Sequence, residues 1–454
     1  MASRVFIRHI FCLCALLALL TCDIGVLGEP DVQFVYHNYD SLSSTLMALH
    51  EKYYEISDLY SIGRSVKGRK LWVLAISGKD ALKHEVLRPE VKYVGNIHGN
   101  EVVGREILLH FARHLLSNYG VENDVTRFLD NTRVHLLPDM NPDGFEVAFE
   151  GDCTGVIGRY NNESYDLNRN FPDMFEINED PIQVETAAIM SWLDIVPFVL
   201  SGTFHGGALV ASYPYDNLTP EDKAEDDAQY SLSPDDDVFI HLARVYSLQH
   251  GNMYNITVNK CTDVYDYDYY SYDYEFAGFE DGITNGADWY TLTGGMQDYN
   301  YVYHGCMELT FEVSCCKYPN ESLLEDYWNQ NKISMMKYLE QVHQGVKGLV
   351  LDENDNPLPR ARVSVIGRSN YFNTTLDGEY FRILLTGQYE IEASANGYTS
   401  QRKALTVPGG LYNTVELNFS LGIEISSGFH ILPSIYLTLI SAVCIFIQQF
   451  HVED

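Results

Sequence analysis

Val91-Lys92-Tyr93-Val94-Gly95-Asn96-Ile97-His98-Gly99-Asn100-Glu101 is the stretch on which the fold turns. Its first seven residues read as a β run. From Glu101 to Leu116 the apolar residues Val103, Ile107, Leu108, Phe111 and Leu115 return near helical spacing. A strand therefore passes into a helix through a junction that carries an imidazole and a carboxylate. The same alternation extends to both sides, from Leu42 to about Gln344: Leu71–Ile76 and Val134–Leu137 read as strands and Val184–Leu193 as a helix. Strands alternating with helices predict an α/β domain with a mixed, mainly parallel sheet flanked by helices. Open sheets of this kind bind ligands in loops beyond the strand ends, which is where His98 and Glu101 stand.

The pattern changes at Gly345-Val346-Lys347-Gly348. From there to Leu421, short alternating runs are separated by turn signals at Asp352–Pro357, Asp377-Gly378, Asn396-Gly397 and Pro408-Gly409-Gly410. Strands at that spacing predict a small β-sandwich. No cluster of His, Cys or acidic ligands falls within it, so it reads as a packing module and the chemistry as lying upstream. Two acidic stretches precede it, Asp216–Asp237 and the Asp/Tyr alternation of Cys261–Asp281. The latter reads as a solvated loop, with sulfation of Tyr265, Tyr267, Tyr269, Tyr270, Tyr272 and Tyr274 as an alternative.

The 454 residues suit two or three domains. With 46% hydrophobic and 20% charged residues the chain is neither disordered nor collagenous. Lys and Arg number 30 against 63 Asp and Glu, a net charge of −33. Such a surface repels phosphate backbones, so nucleic acid is not expected as a partner and cationic ligands are favoured. Arg4 and Arg8, the apolar run Ile10–Leu20 and Val26-Leu27-Gly28 read as a secretory signal peptide over residues 1–28. Sequons at Asn162, Asn217, Asn255, Asn320, Asn373 and Asn418 agree with that route, although Pro220 stands close after Asn217. A second hydrophobic run, Ile431–Ile447, follows Ser426-Ser427-Gly428 within a membrane-attachment segment at 422–454. Lipid anchor and single span both remain open. Of nine cysteines, Cys153, Cys261, Cys306, Cys315 and Cys316 fall in the folded region. Their odd number suggests two disulfides and one buried thiol.

His98 and Glu101 alone are a weak signal, since H-x-x-E arises readily by chance. Ser201-Gly202-Thr203-Phe204-His205-Gly206-Gly207 adds a third candidate, His205, at the end of the apolar run Phe198–Leu200. Three protein ligands leave a fourth position for water, as catalytic zinc requires.

In this context the chain resembles the zinc metallocarboxypeptidases, and within them the regulatory (N/E-type) branch. The likeness rests on His98–Glu101, Asn141-Pro142-Asp143-Gly144, Asp166-Leu167-Asn168-Arg169-Asn170-Phe171-Pro172-Asp173, His205 and Glu308–Cys316. It spans roughly residues 30 to 421. Neither H-E-x-x-H nor G-x-S-x-G occurs, so zincin and serine-elbow chemistry find no support. The resemblance implies the metallocarboxypeptidase fold over 29–344, a transthyretin-like sandwich over 345–421, and one Zn2+ on His98, Glu101 and His205. It implies Glu312 as general base and acid, Arg159 as oxyanion stabiliser, and Asn168 with Arg169 as the grip on the substrate's α-carboxylate. Tyr290 would close over the bound C-terminus, and Asp143 would orient the first zinc histidine. In Ser212-Tyr213-Pro214-Tyr215-Asp216, Asp216 would meet a basic side chain, with Gln297 lining the same pocket. The disulfides implied are Cys153–Cys316 and Cys261–Cys315, leaving Cys306 free. The expected activity is release of C-terminal Arg or Lys from peptides and proteins by a monomer. It would act at the extracellular face of the plasma membrane, with a soluble secreted form also open. A catalytically silent binding protein of the same family is the alternative.

Overall fold

The computed structural model of the protein describes residues 32–225, 228–264 and 278–424. The signal segment, the sulfation candidates Tyr265–Tyr274 and the hydrophobic run Ile431–Ile447 lie outside them. Among the described residues no helix is long and apolar enough to cross a membrane.

Eight strands build the larger sheet: β1 (Ser57–Arg64), β2 (Lys70–Ile76), β3 (Glu90–Gly95), β4 (Arg133–Leu137), β5 (Phe198–His205), β6 (Ala208–Tyr213), β7 (Ile283–Asn285) and β8 (Met307–Ser314). Their order is β1-β2-β4-β3-β5-β8-β6-β7. The β3–β4, β3–β5, β5–β8 and β6–β7 pairings are parallel. The β1–β2, β2–β4 and β6–β8 pairings are antiparallel. The sheet is thus mixed and mainly parallel, as the alternation predicts. β3, β5 and β6 are buried at every position because helices cover both faces, and polar residues among them pair within the sheet, as Lys92 does with Ser201 (2.6 Å).

Among the described residues, seven helices of eight residues or more supply that cover: α1 (Tyr39–Lys52), α2 (Val103–Asn118), α3 (Asn123–Asn131), α4 (Val184–Ile195), α5 (Asp236–Gln249), α6 (Met296–His304) and α7 (Leu324–Leu339). α2 lies so close to β5 that a Cβ on Gly104 would stand 2.2 Å from Cβ of Phe204, so only glycine permits the contact.

At the junction that carries His98 and Glu101, two boundaries differ from the sequence reading, for one reason. β3 ends at Gly95, not Ile97, because Asn96 takes a left-handed backbone conformation with φ 59° that breaks the extended run. α2 starts at Val103, not Glu101. Residues 96–102 are therefore a loop, and His98 and Glu101 both belong to it.

The C-terminal sandwich consists of β9 (Val346–Asp352), β10 (Arg362–Val365), β11 (Tyr371–Asn373), β12 (Glu379–Arg382), β13 (Gly387–Ser394), β14 (Gln401–Val407), β15 (Val415–Glu416) and β16 (Phe419–Leu421), in sheets β11-β10-β13-β14 and β12-β9-β15, with β16 pairing with β9. Val346, Val350, Val363, Ile391, Val407 and Phe419 fill it. Its junction with the first domain is charged. Asp235 Oδ1 accepts from Arg368 Nη1 (2.6 Å) and Arg382 Nη2 (2.8 Å), while Oδ2 accepts from Tyr301 (2.6 Å) and Asn370 (2.6 Å).

Cys153–Cys316 and Cys261–Cys315 are bonded and Cys306 is a free, buried thiol, as the resemblance implies. Asn217 is fully buried, and its side chain is tied to Asp173 and Thr293, so that sequon has no room for a glycan. The other five sequon asparagines are exposed. Burial pushes the Cys306 thiol up to about 12, and thiolate is the reactive form. Iodoacetamide should therefore leave Cys306 unmodified in the native protein and label it fully after denaturation, as peptide mapping would show.

Candidate active site

The parallel β5–β8 register sets His205 directly beside Glu312, and β3 lies on the other side of β5. The loop leaving β3 consequently opens over the same strand ends. Its shape is held from within: Asn96 Nδ2 donates to the His98 carbonyl (2.7 Å), and Glu101 N–H donates to the same oxygen (3.0 Å). One carboxylate oxygen then becomes the meeting point. Glu101 Oε2 lies 2.8 Å from His98 Nδ1 and 2.9 Å from His205 Nδ1, and Gly206 N–H points to it at 3.3 Å. The three ligand-type side chains are almost wholly buried.

Such a donor set fits zinc, which binds imidazole nitrogen and carboxylate oxygen at a tetrahedral centre. Two further observations agree. His205 Nε2 and Glu312 Oε2 are buried with no hydrogen-bond partner among the described residues, a state that a purely structural polar cluster would avoid. Burial would raise the Glu101 carboxyl, yet His98 and His205 hold it well below its usual range. It is thus a carboxylate, ready to ligate. Burial pushes Glu312 the other way, up to about 7, against the pull of His205.

The structure corrects one assignment. Asp143 does not reach His98. Its carboxylate accepts from Ser65 Oγ (2.9 Å), Lys67 N–H (2.8 Å) and Arg69 Nη1 (2.6 Å), which anchors the β1–β2 turn to the loop after β4. Asp166 fills that place. Its Oδ1 lies 3.0 Å from His98 Nε2, and its Oδ2 accepts from Arg159 Nη2 (2.8 Å) and Nε (3.1 Å). One residue thus orients both the candidate ligand His98 and the arginine beside it. The signal was available in the sequence: Asp166 opens the Asp-Leu-Asn-Arg-Asn motif.

His98, Glu101, Arg159, Asn168, His205, Asp216, Tyr290 and Glu312 line one cavity, together with Ser212, Gly286, Trp289, Leu292 and Thr310. Arg159 Nη1 stands 3.2 Å from Glu101 Oε1. Asn168 Oδ1 accepts from Met296 N–H at the start of α6 (3.0 Å). Tyr290 stands at the mouth, 42% exposed, its ring edge-on to Trp289. Arg169 and Gln297 are not among the lining residues. Arg169 is half-buried and donates to the Asn168 carbonyl (2.9 Å). Gln297 acts on the cavity through Asp216, donating Nε2–H to its Oδ1 (2.8 Å).

Asp216 is 5% exposed. Asp298, absent from the sequence reading, accepts the Asp216 backbone N–H (2.9 Å). A Cβ on Gly286 would fall 1.9 Å from Asp216 Oδ1, so glycine is required for the carboxylate to occupy its place. Burial raises the Asp216 carboxyl to about 7, opposed by Arg169.

Comparison with known proteins agrees with this geometry. A family model described as "Zinc carboxypeptidase" matches residues 42–334, and one described as "Carboxypeptidase regulatory-like domain" matches 345–422. The chain is 46% identical over 380 residues to mouse carboxypeptidase M, covering 83% of this chain and 82% of that protein. It is 43% identical over 404 residues to the rat carboxypeptidase N catalytic chain, covering 84% and 85% respectively. Among solved structures, thrombin activatable fibrinolysis inhibitor shares the fold, with a TM-score of 0.52, 20% identity and coverage of 71% of this chain and 78% of that one. The chain belongs to the zinc carboxypeptidase family, in its regulatory branch. Zinc is accordingly its metal, and the His98, Glu101 and His205 set could hold it.

Carboxylates behind a metal-bound histidine typically contribute ~10–100-fold in metal affinity. Asp166→Asn should weaken zinc binding by about that factor, measured by chelator competition, while Asp143→Asn should leave it within about twofold.

Proposed function

We propose that the chain is an exopeptidase that hydrolyses the last peptide bond of peptides and proteins ending in Arg or Lys, outside the cell or at its surface. The observation that carries this reading is the position of Asp216. A buried carboxylate stands in the same cavity as the zinc-type ligand set and Glu312. An apolar side chain entering there would leave that carboxylate unpaired, whereas a guanidinium or ammonium would pair with it. Burial of the pair in a cramped, glycine-walled site makes the discrimination strong.

The other roles follow from what each group can do. Asn168 and Arg169 grip the free α-carboxylate, which makes the enzyme cut at the end of a chain and not within it. Tyr290, at the mouth, closes over the bound residue. Zinc, when held by His98, Glu101 and His205, supplies Lewis acidity toward the scissile carbonyl and the attacking water. Glu312, with an oxygen free of other partners, takes a proton from that water as the C–O bond forms. Arg159 neutralises the charge that develops on the carbonyl oxygen, held in line by Asp166. Glu312 then returns the proton to the leaving nitrogen as the C–N bond breaks. Asp166 thus positions, and Glu312 and Arg159 act on the reacting atoms. The signal peptide, the C-terminal membrane attachment and glycans on the exposed sequons form part of the same proposal, as does a monomeric state.

Glu312→Gln should retain zinc and peptide binding but lose roughly 100- to 10,000-fold in kcat, since no proton acceptor remains. Equal kcat in steady-state assays of parent and variant would remove Glu312 from the mechanism.

Asp216 gives a pH signature with a definite sign. In the free enzyme its carboxyl titrates at about 7, and only the ionised form pairs with a cation. The ratio of kcat/KM for Arg-ending over Leu-ending peptides should therefore rise with pH through neutrality and level off above it. Asp216→Ala should lower kcat/KM for Arg ends by about 2–4 kcal/mol more than for Leu ends and make the ratio independent of pH. An equal loss on both substrates, with the pH dependence kept, would mark Asp216 as structural.

A further inference from the structure

A second group of ligand-type side chains stands where the two domains meet, away from the cleft. His84 belongs to the segment between β2 and β3, while Asp377 and Glu379 flank Gly378 at the entrance to β12 (Glu379–Arg382) of the sandwich. Gly378 takes φ 75°, and a Cβ there would stand 2.7 Å from the Val350 carbonyl, so the turn that brings the two acids together depends on glycine. One ligand atom from each of His84, Asp377 and Glu379 lies within 4.8 Å of the others. Glu379 is fully buried, His84 half-buried and Asp377 exposed.

The cleft offers a comparison within the same chain. There His98 sets one ring nitrogen 2.8 Å from a ligand carboxylate, Glu101, while Asp166 holds the other nitrogen at 3.0 Å. His84 repeats this arrangement. Its Nε2 lies 2.5 Å from Glu379 Oε2 and its Nδ1 2.7 Å from Glu90 Oε1. Glu90 is in turn braced by His135 Nε2 (2.6 Å) and Arg133 Nη1 (3.3 Å). A carboxylate fixed behind Nδ1 keeps the proton on that nitrogen and turns the Nε2 lone pair toward Glu379 and Asp377.

We infer that His84, Asp377 and Glu379 form a second divalent-metal site, suited to zinc, that fastens the catalytic domain to the sandwich. An imidazole with two carboxylates matches zinc and similar transition ions better than calcium or magnesium, which take oxygen donors alone. The exposed side, at Asp377, leaves a position for water. A bound ion would take the place of the hydrogen bond between His84 Nε2 and the Glu379 carboxylate.

The competing reading is a plain ion pair of His84 with Glu90 and Glu379, in which the Asp377 carboxylate has no part. Asp377→Asn separates the two on the full chain, and the exposed position spares the fold. Chains equilibrated with zinc and freed of excess metal would be counted by plasma mass spectrometry. D377N and H84Q should each hold one zinc ion fewer than the parent. Added zinc should raise the thermal midpoint of the parent with its cleft already loaded, and leave that of D377N where it was. Equal zinc counts in parent and D377N would overturn the second site, without touching the reading of the cleft.

Discussion

Glu101 is the constraint around which the molecule is arranged. Its carboxylate is buried in a chain of net charge −33, with other acids nearby, and a buried anion is tolerable only when cations and hydrogen bonds surround it. The protein provides them from several separate elements. His98 comes from the loop after β3, His205 and Gly206 from the end of β5, Arg159 from a loop after β4, and Lys317 (3.6 Å from Oε1) from beyond β8. None of these elements can shift without leaving a charge unpaired. The left-handed turn at Asn96, the glycine contact between α2 and β5, and the β5–β8 register all serve that convergence. A zinc ion fits the same logic, since it replaces partial positive charges on imidazoles with a full divalent one.

How far the sequence could carry this depends on what each residue's role requires. The alternation of apolar runs made the sheet legible because β3 and β5 are buried on both faces and so are rich in apolar residues, Val91, Tyr93 and Val94 in one and Phe198, Val199, Leu200 and Phe204 in the other. His98, Glu101 and His205 were legible because they stand where such strands end. Glu312 and Asp216 came through resemblance alone, with no local pattern behind them. Asp143 was misplaced for an instructive reason. It and Asp166 lie in neighbouring loops on the same side of the sheet, and spacing along the chain does not say which carboxylate meets the back of a given imidazole. The answer lies in Arg69, whose guanidinium reaches Asp143 at 2.6 Å and fixes it elsewhere. Asp298 was invisible because its partner is a backbone N–H, which every residue offers. The loop boundaries at Asn96 and Val103 escaped because a single left-handed residue ends the strand while apolar Ile97, just after it, prolongs the apolar run.

The acidity of the chain acquires two meanings. On the surface it disfavours polyanions and attracts cations over a range set by salt. Inside, most buried acids are matched to particular cations or hydrogen-bond donors. Glu308, wholly buried, is satisfied by Lys92 (2.9 Å), Thr203 (2.8 Å), Ser201 and Asn300. Asp235 has two arginines, a phenol and an amide. Asp216 differs from both, since Gln297 and Asp298 support it without neutralising it. A buried acid left without a cation is costly to ionise, which is why burial raises its carboxyl to about 7. The missing cation is what the proposed substrate would bring.

The sandwich, which on sequence grounds is a packing module without chemistry, stands closer to the cleft than that description implies. Asp235 receives Arg368, Asn370 and Arg382 from the sandwich and Tyr301 from α6 on one carboxylate. The first turn of α6 supplies three contacts to the cleft: Met296 N–H to Asn168, Gln297 to Asp216, and Asp298 to the Asp216 backbone. A helix of nine residues is too short to be fixed by its own hydrogen bonds, so its placement rests on what it packs against. Here that support includes a buried charge shared between domains, whose geometry is far more exacting than that of an apolar contact. Gly305, in the left-handed region at the helix end, packs against Phe372 of the sandwich, and Arg382 lies over the same ring at 3.9 Å. Both ends of α6 are thus tied, one to the residues proposed to grip the substrate and the other to the second domain. Removing the sandwich would strip Asp235 of both its arginines and release the helix that shapes the pocket, which gives a physical reason for the two domains to occur in one chain.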